Sequence, residues 1–125
     1  MPGVTLDAGG LIALERSDRR VLVLLARAQQ VGATVTIPGT ALAQAIRDPQ
    51  RQVRLARLLR QPTTDVVPLD RVDATNVGRL LRESGTADIA DAHVVICARR
   101  AAQQIVTTDP GDLQALDPQI AVVAL

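Results

Sequence analysis

The sequence predicts an α/β fold: a parallel sheet of about five strands with helices covering both faces. Three observations predict it. Short runs rich in Val, Ile and Thr alternate along the whole chain with stretches of helical periodicity. The first of these runs is short and largely apolar, as a buried strand is. The 125 residues contain no repeat, linker or low-complexity segment, so one domain spanning 1–125 is expected.

Taken in order, residues 3–6 form the first strand. Helical periodicity follows over 11–14 and again over 19–31, where Leu22, Leu25 and Ala28 share one face and Gly32 is a stop signal. Residues 34–37 are β-branched in alternation and end at Pro38, which gives the second strand. Helical segments at 40–47 and 50–60 are separated by Asp48-Pro49. Residues 65–69 are a third strand, and 71–83 a helix closed by Gly85. The chain ends with a helix over 89–102, a fourth strand over 104–107, a short helix over 110–116 and a last strand over 120–124.

Apolar residues make up 47% of the chain, and with Phe, Tyr and Trp absent the core must be Leu, Val, Ile and Ala. All 14 basic residues are arginine and 13 residues are acidic, so the net charge is only +1. No global field therefore draws nucleic acid, and any basic footprint must be local. The one cysteine, Cys97, excludes an internal disulfide and suits a reducing cytoplasm. No basic segment followed by an apolar run opens the chain. The longest uncharged stretch, 28–46, is broken by Gln29, Gln30, Gly32, Pro38 and Gly39. A soluble cytoplasmic protein without a membrane partner is expected.

Three segments far apart in sequence put aspartates where elements begin or end. They are Val4-Thr5-Leu6-Asp7, Ala87-Asp88-Ile89-Ala90-Asp91-Ala92-His93 and Val106-Thr107-Thr108-Asp109-Pro110-Gly111-Asp112. In a parallel sheet, ligands bind outside the carboxyl ends of the strands where strand order reverses. Asp7 lies at that end of the first strand, and Asp109 just past that of the fourth. The helix over 89–102 feeds the fourth strand from the opposite end, so its first turn, with Asp88 and Asp91, lies at the carboxyl edge too. The plainer reading is capping: Asp7 before a helix, Asp88/Asp91 and Asp109/Asp112 as i, i+3 pairs at helix starts, and Pro110 as an N1 proline. Capping does not explain a shared rim. Two carboxylates ~4 Å apart repel by roughly 4 kcal/mol at an effective dielectric near 20, whereas one helix-terminus interaction returns about 0.3–1 kcal/mol. A hard divalent cation resolves the conflict, Mg²⁺ typically using about one or two carboxylates with waters and substrate phosphate.

The start Leu6-Asp7-Ala8, the Asp91-Ala92-His93 helix and the segment from Val106 to Leu113 together resemble the PIN-domain family, specifically VapC-type ribonuclease toxins of VapBC toxin–antitoxin pairs. The resemblance covers essentially the full length, including element order. It implies a PIN-like three-layer α/β/α fold and Mg²⁺- or Mn²⁺-dependent endoribonuclease activity, in which metal-activated water cleaves the phosphodiester. The family's acidic residues carry over as Asp7, Asp91 and Asp109, with Asp112 or Asp88 as further acids near the metal. The family's usual glutamate in the helix after the second strand is replaced by the neutral amide Gln44, which bears on how tightly metal is held and on whether a second ion binds. The resemblance also implies a cognate VapB-type antitoxin covering the acidic rim, and a homodimer.

Thr107 or Thr108 can offer a hydroxyl to substrate phosphate, against the plainer reading of both as strand-forming residues. His93 lies two positions after Asp91, hence on another helix face, and reads as structural; Cys97 in the same helix reads as inert core. Arg47, Arg51 and Arg54 lie on adjoining turns, extended by Arg57 and Arg60, and form either a solvated face or a patch that tracks RNA phosphates. Without Phe, Tyr or Trp to stack bases on, any sequence preference must come from RNA shape, arginine contacts and backbone geometry. Two other classes compete. Receiver- and phosphatase-like domains also gather aspartates at a sheet edge, but receivers need a lysine, and Asp7-Ala8-Gly9 is not the Asp-x-Asp of haloacid-dehalogenase-type phosphatases. A catalytically weak or inactive PIN-fold binding module is the other, with Gln44 as its support. The chain contains no Gly-x-Gly-x-x-Gly or P-loop, which argues against nucleotide-dependent chemistry.

Overall fold

The computed structural model describes residues 3–125. Along the chain run β1 (Val4–Leu6), α1 (Ala8–Glu15), α2 (Arg19–Val31), β2 (Val35–Pro38), α3 (Gly39–Ala45), α4 (Val53–Arg60), β3 (Thr64–Val67), α5 (Arg71–Ser84), α6 (Ile89–Ala101), β4 (Gln104–Thr107), α7 (Pro110–Leu116) and β5 (Val122–Ala124). The strands form one parallel sheet in the order β3-β2-β1-β4-β5. The chain steps outward from β1 to β2 and β3, then crosses back over to β4 and β5. Right-handed crossovers therefore put α1, α2 and α4 on one face and α5, α6 and α7 on the other. The packing agrees: α1 meets α2 and α4, while α5, α6 and α7 meet one another. α3 starts at the carboxyl end of β2 and touches both α1 and α6. The three layers and five strands are those the sequence predicted. Among the described residues, no helix is long and apolar enough to cross a membrane.

Leu6, Ile37, Ile105 and Val106 fill the centre of the sheet and are fully or almost fully buried, joined by Leu11 and Leu55 from one face and Val94, Val95 and Leu113 from the other. A core without aromatics is thus made of interdigitated branched aliphatics, as composition required. β3 is an edge strand, with Asp65 and Val66 exposed.

Several boundaries differ from the sequence reading for local reasons. α1 starts at Ala8, not at 11, because Asp7 caps it. The segment 50–52 is not helical: the Arg51 and Gln52 N–H groups donate to the Asp48 carbonyl in a turn. The Gln52 side chain then stitches that turn down, its Oε1 accepting the Arg47 and Asp48 N–H groups while Nε2 donates to the Ala45 carbonyl at 2.9 Å. α4 has no side-chain cap of its own. Instead Glu15, at the end of α1, accepts the Leu55 N–H at 3.0 Å and supplies a carboxylate to the N-terminus of α4. The third strand ends at Val67, before Pro68, and the last begins only at Val122.

Candidate metal centre

Strand order reverses between β1 and β4, and there Asp7 and Asp109 follow neighbouring strands. Their closeness depends on two glycines. The first turn of α1 presses against the end of β4: a Cβ on Gly9 would stand 2.4 Å from Thr108 Oγ1, and one on Gly10 2.6 Å from the Val106 carbonyl oxygen. A larger residue at position 10 would lever α1 away from β4, and one at position 9 would force the Thr108 side chain to turn aside. Each glycine costs about 1 kcal/mol of helix propensity, and the Asp7 cap, Oδ1 accepting the Gly10 N–H at 2.8 Å, offsets part of that. Thr107 joins the two acids. Its hydroxyl oxygen accepts the Asp109 N–H at 2.9 Å and its hydroxyl also hydrogen-bonds the Asp7 carboxylate. Asp109 occupies the N-cap position of α7, yet its carboxylate makes no cap bond. It is exposed, with Thr108 Oγ1 a distant 3.4 Å from Oδ2.

α6 brings the second pair of acids to the same edge. Asp88 caps the helix, Oδ1 accepting the Asp91 N–H at 2.9 Å. Among the described residues the Asp91 carboxylate makes no reciprocal bond, so a capping box does not account for it. Burial raises the Asp91 carboxyl to about 6, and the charges of Asp88, Asp7, Asp112 and Asp109 add to the rise. All five acids that the sequence singled out therefore share one electrostatic neighbourhood centred on Asp91. Asp7, almost fully buried, is also pushed up, first by desolvation and then by Asp109, against the hydrogen bonds of Thr107 and Gly10 that favour its charged form.

This donor set fits a hard divalent ion: every ligand atom on offer is a carboxylate oxygen. The rim is open rather than caged. Among the described residues, no three of its carboxylates bring oxygens within 4.8 Å of one another. Mg²⁺–oxygen bonds of about 2.0–2.1 Å place ligands at most ~4.2 Å apart. The rim therefore suits an ion with one or two direct carboxylates and the others acting through water.

The remaining predicted residues fall in different places. Asp112 is exposed in the first turn of α7. Thr107 is buried with its hydroxyl taken up by the two acids, whereas Thr108 is exposed beside Asp109. Gln44 is exposed and lines a shallow depression with Thr40, Ala43 and Asp88, on the α6 side of the rim. Arg47 folds onto the end of α3, donating to the Ala43 and Ile46 carbonyls at 3.1 and 2.6 Å. Arg51 pairs with Asp48 at 3.4 Å, and Arg54 lines a groove between α2 and α4.

A second cluster escaped the sequence reading. Among the described residues, Asp73, His93 and Cys97 offer ligand atoms within 4.8 Å of one another, closer than the rim acids do. Its chemistry is nonetheless wrong for a cation. Arg100 grips both Asp73 oxygens at 2.9 and 2.7 Å, and His93 Nε2 donates to Oδ2 at 3.0 Å. The guanidinium holds the Asp73 carboxyl below its ordinary value, while burial pushes the Cys97 thiol up to about 11. A cation there would face a fixed positive charge and a protonated thiol. The cluster is a lock between helices: the other ring nitrogen of His93, Nδ1, meets the Thr40 hydroxyl at 2.9 Å, so α5, α6 and α3 are tied through one imidazole. The signal was present in the sequence. Asp73 shares the i, i+4, i+7 stripe of Val77 and Leu80, an acid where the core face should be.

No family model matches the chain, and no curated protein does. Solved structures do match. VapBC2 from Rickettsia felis bound to a promoter DNA fragment aligns with TM-score 0.70 at 15% identity over 98% of each chain. FitAB bound to the IR36 DNA fragment aligns with TM-score 0.66 at 16% identity, over 97% of this chain and 94% of that one. FitAcB from Neisseria gonorrhoeae aligns with TM-score 0.63 at 19% identity over 95% of each. Near-complete coverage at so little identity is a likeness of architecture: the chain has the PIN-like three-layer α/β/α fold of these proteins.

Proposed function

We propose that the chain is a metal-dependent endoribonuclease acting as the toxin of a toxin–antitoxin pair. The observation that carries this reading is the gathering of Asp7, Asp88, Asp109 and Asp112 around Asp91 at the switch point of the sheet. Asp7, Asp91 and Asp109 would hold Mg²⁺ or Mn²⁺, with Asp88 and Asp112 adding charge through water. When bound, the ion supplies polarisation of the phosphodiester and activation of water. The chain's own groups do the positioning. Thr107 fixes Asp7 and the Asp109 backbone with one hydroxyl. Asp91 would act either as a ligand of the ion or as an acceptor that orients the attacking water. Thr108 offers its exposed hydroxyl to a phosphate oxygen, and Gln44 would turn its carbonyl oxygen to the ion from the α6 side. Arg47, Arg51 and Arg54 attract the more distant phosphates.

The partner in this reading is a small VapB-type antitoxin, and the protein works as a homodimer in the cytoplasm. The similar structure VapBC2 carries the name of the pair that the sequence resembles. Support within the molecule is the groove between α2 and α4, about 220 Å³, lined by Leu14, Leu22, Leu25, Leu58 and Arg54. An apolar helix of a partner suits such a groove. Purified chain freed of partner should cut RNA with Mg²⁺ or Mn²⁺, stop with EDTA, and lose cutting with Asp7→Asn. Undiminished cutting by Asp7→Asn rejects the assignment. One observation favours a second reading, a PIN-fold binding module with weak or absent catalysis: a neutral amide, Gln44, stands where an added carboxylate would help hold the ion.

A further inference from the structure

We propose that the cleft between α1 and the Thr108–Asp109 turn holds the nucleotide next to the scissile phosphate, with Arg16 contacting its phosphate and Ile12 its base. The inference rests on the nuclease reading and adds the residues that grip substrate. The cleft measures about 550 Å³, and its lining includes Gly9, Ile12, Arg16, Asp18, Thr108 and Asp109. That lies within the roughly 300–1,000 Å³ of small-ligand sites. One of its walls is a rim acid, so whatever enters lies against the proposed reaction centre.

The helix face that borders it has a graded chemistry. Ala8, Ile12 and Arg16 follow one another at i, i+4 spacing and so lie on one side of α1. Going away from the rim, that side is small, then apolar, then cationic, over roughly 12 Å. Small residues leave room beside Asp7. Ile12 is 38% exposed although the core of the protein lies on the other side of its helix. With no Phe, Tyr or Trp in the chain and the His93 ring fully buried, an aliphatic side chain is what a base can pack on here. Among the described residues Arg16 has no carboxylate partner. Its acidic neighbours are engaged: Asp18 accepts the Arg20 and Val21 N–H groups, and Glu15 the Leu55 N–H. An unpaired guanidinium beside a rim that would hold a cation calls for a ligand that brings its own anions, and a nucleic-acid strand does so at every residue.

The test is binding of a short fluorescein-labelled single-stranded RNA, followed by anisotropy over a series of salt concentrations in EDTA, where the proposed cleavage is off. Arg16→Ala should weaken binding about tenfold and lower the log–log salt slope by about 0.7, the share of one single-strand phosphate. Arg16→Lys should keep the slope. Ile12→Ser should weaken binding with the slope unchanged; the two Arg16 variants should melt as the parent does, and Ile12→Ser within a few degrees of it, since the side chain is partly packed. An Arg16→Ala slope equal to the parent's overturns the proposal, as does unchanged RNA binding combined with loss of a co-expressed partner protein, which would make the cleft a protein contact. Cleavage in Mg²⁺ separates the two levels. Parent and Arg16→Ala cutting with equal kcat/KM defeats this inference and leaves the nuclease reading standing; a parent that neither binds nor cuts RNA defeats both.

Discussion

Replacing Asp91 by Asn should make the metal-free protein more stable at neutral pH, which is the opposite of what removing a helix cap or a core contact does. A carboxyl that titrates at about 6 rather than 3.8 disfavours its charged form in the fold. The penalty is at most about 3 kcal/mol, because solvent screens a carboxyl that is only half-buried. Desolvation is its first cause and the four neighbouring aspartates add the rest. The sign follows from proton counting. Between pH 3.8 and about 6 the folded state holds the Asp91 proton more tightly than the unfolded chain does, so this residue's contribution falls as pH rises through that window and stays low above it. Asn has nearly the same shape and carries no charge to desolvate. For a chain of this size, that bound corresponds to a rise in Tm of no more than about 10 °C. Thermal melts by circular dichroism in EDTA, from pH 4 to pH 8, should show the two proteins converging in acid and the variant pulling ahead towards neutrality. Added Mg²⁺ should then raise the Tm of the parent more than that of the variant. Parallel curves across pH, or a variant less stable at pH 7, would refute the convergence of charge on Asp91.

Three further outcomes follow from the same geometry. Arg100→Ala leaves the Asp73 carboxylate buried with His93 as its partner and should cost about 3 kcal/mol by denaturant unfolding, at the lower end for a broken buried pair because water can reach the Arg100 side. Since Asp73 titrates below its ordinary value, that stabilisation is present at neutral pH and should disappear in acid, below about pH 4. Gly10→Ala should cost about 1–3 kcal/mol by the same assay, since its Cβ would meet the Val106 carbonyl at 2.6 Å, and should weaken Mg²⁺ binding by moving Asp7. Gln44→Glu should tighten Mg²⁺ binding about two- to fivefold while lowering the metal-free Tm slightly, a modest effect because the position is exposed near Asp88; equal values for both forms would mean that this side chain does not sense the ion.

What was legible in the sequence was what local pattern determines. Strands flanked by aspartates, and a helix that must run down from the carboxyl edge, were enough to place Asp7, Asp91 and Asp109 on one rim before any coordinate. The start of α1 was not legible, because Gly9 and Gly10 are weak helix formers whose purpose is close approach to β4, a tertiary demand. The same holds for Thr107: its strand position was clear, but its hydroxyl bridging Asp7 and the Asp109 backbone depends on the pairing of β1 with β4. Asp73 shows a signal that was available and unused, since a charged residue on an apolar stripe needs partners, and Arg100 and His93 supply them. The openness of the rim could not be read at all. Spacing along a chain says which carboxylates share an edge and nothing about the ångströms between their oxygens.

The central claim is that three distant segments assemble a seat for a divalent cation. Calorimetric titration of the metal-free chain with Mn²⁺, beside Asp7→Asn, Asp91→Asn and Asp109→Asn, tests it most directly. Convergence of the carboxylates predicts saturable binding by the parent and at least about tenfold weaker binding by each variant. Equal affinity in all four proteins, or no saturable binding by the parent, would contradict it.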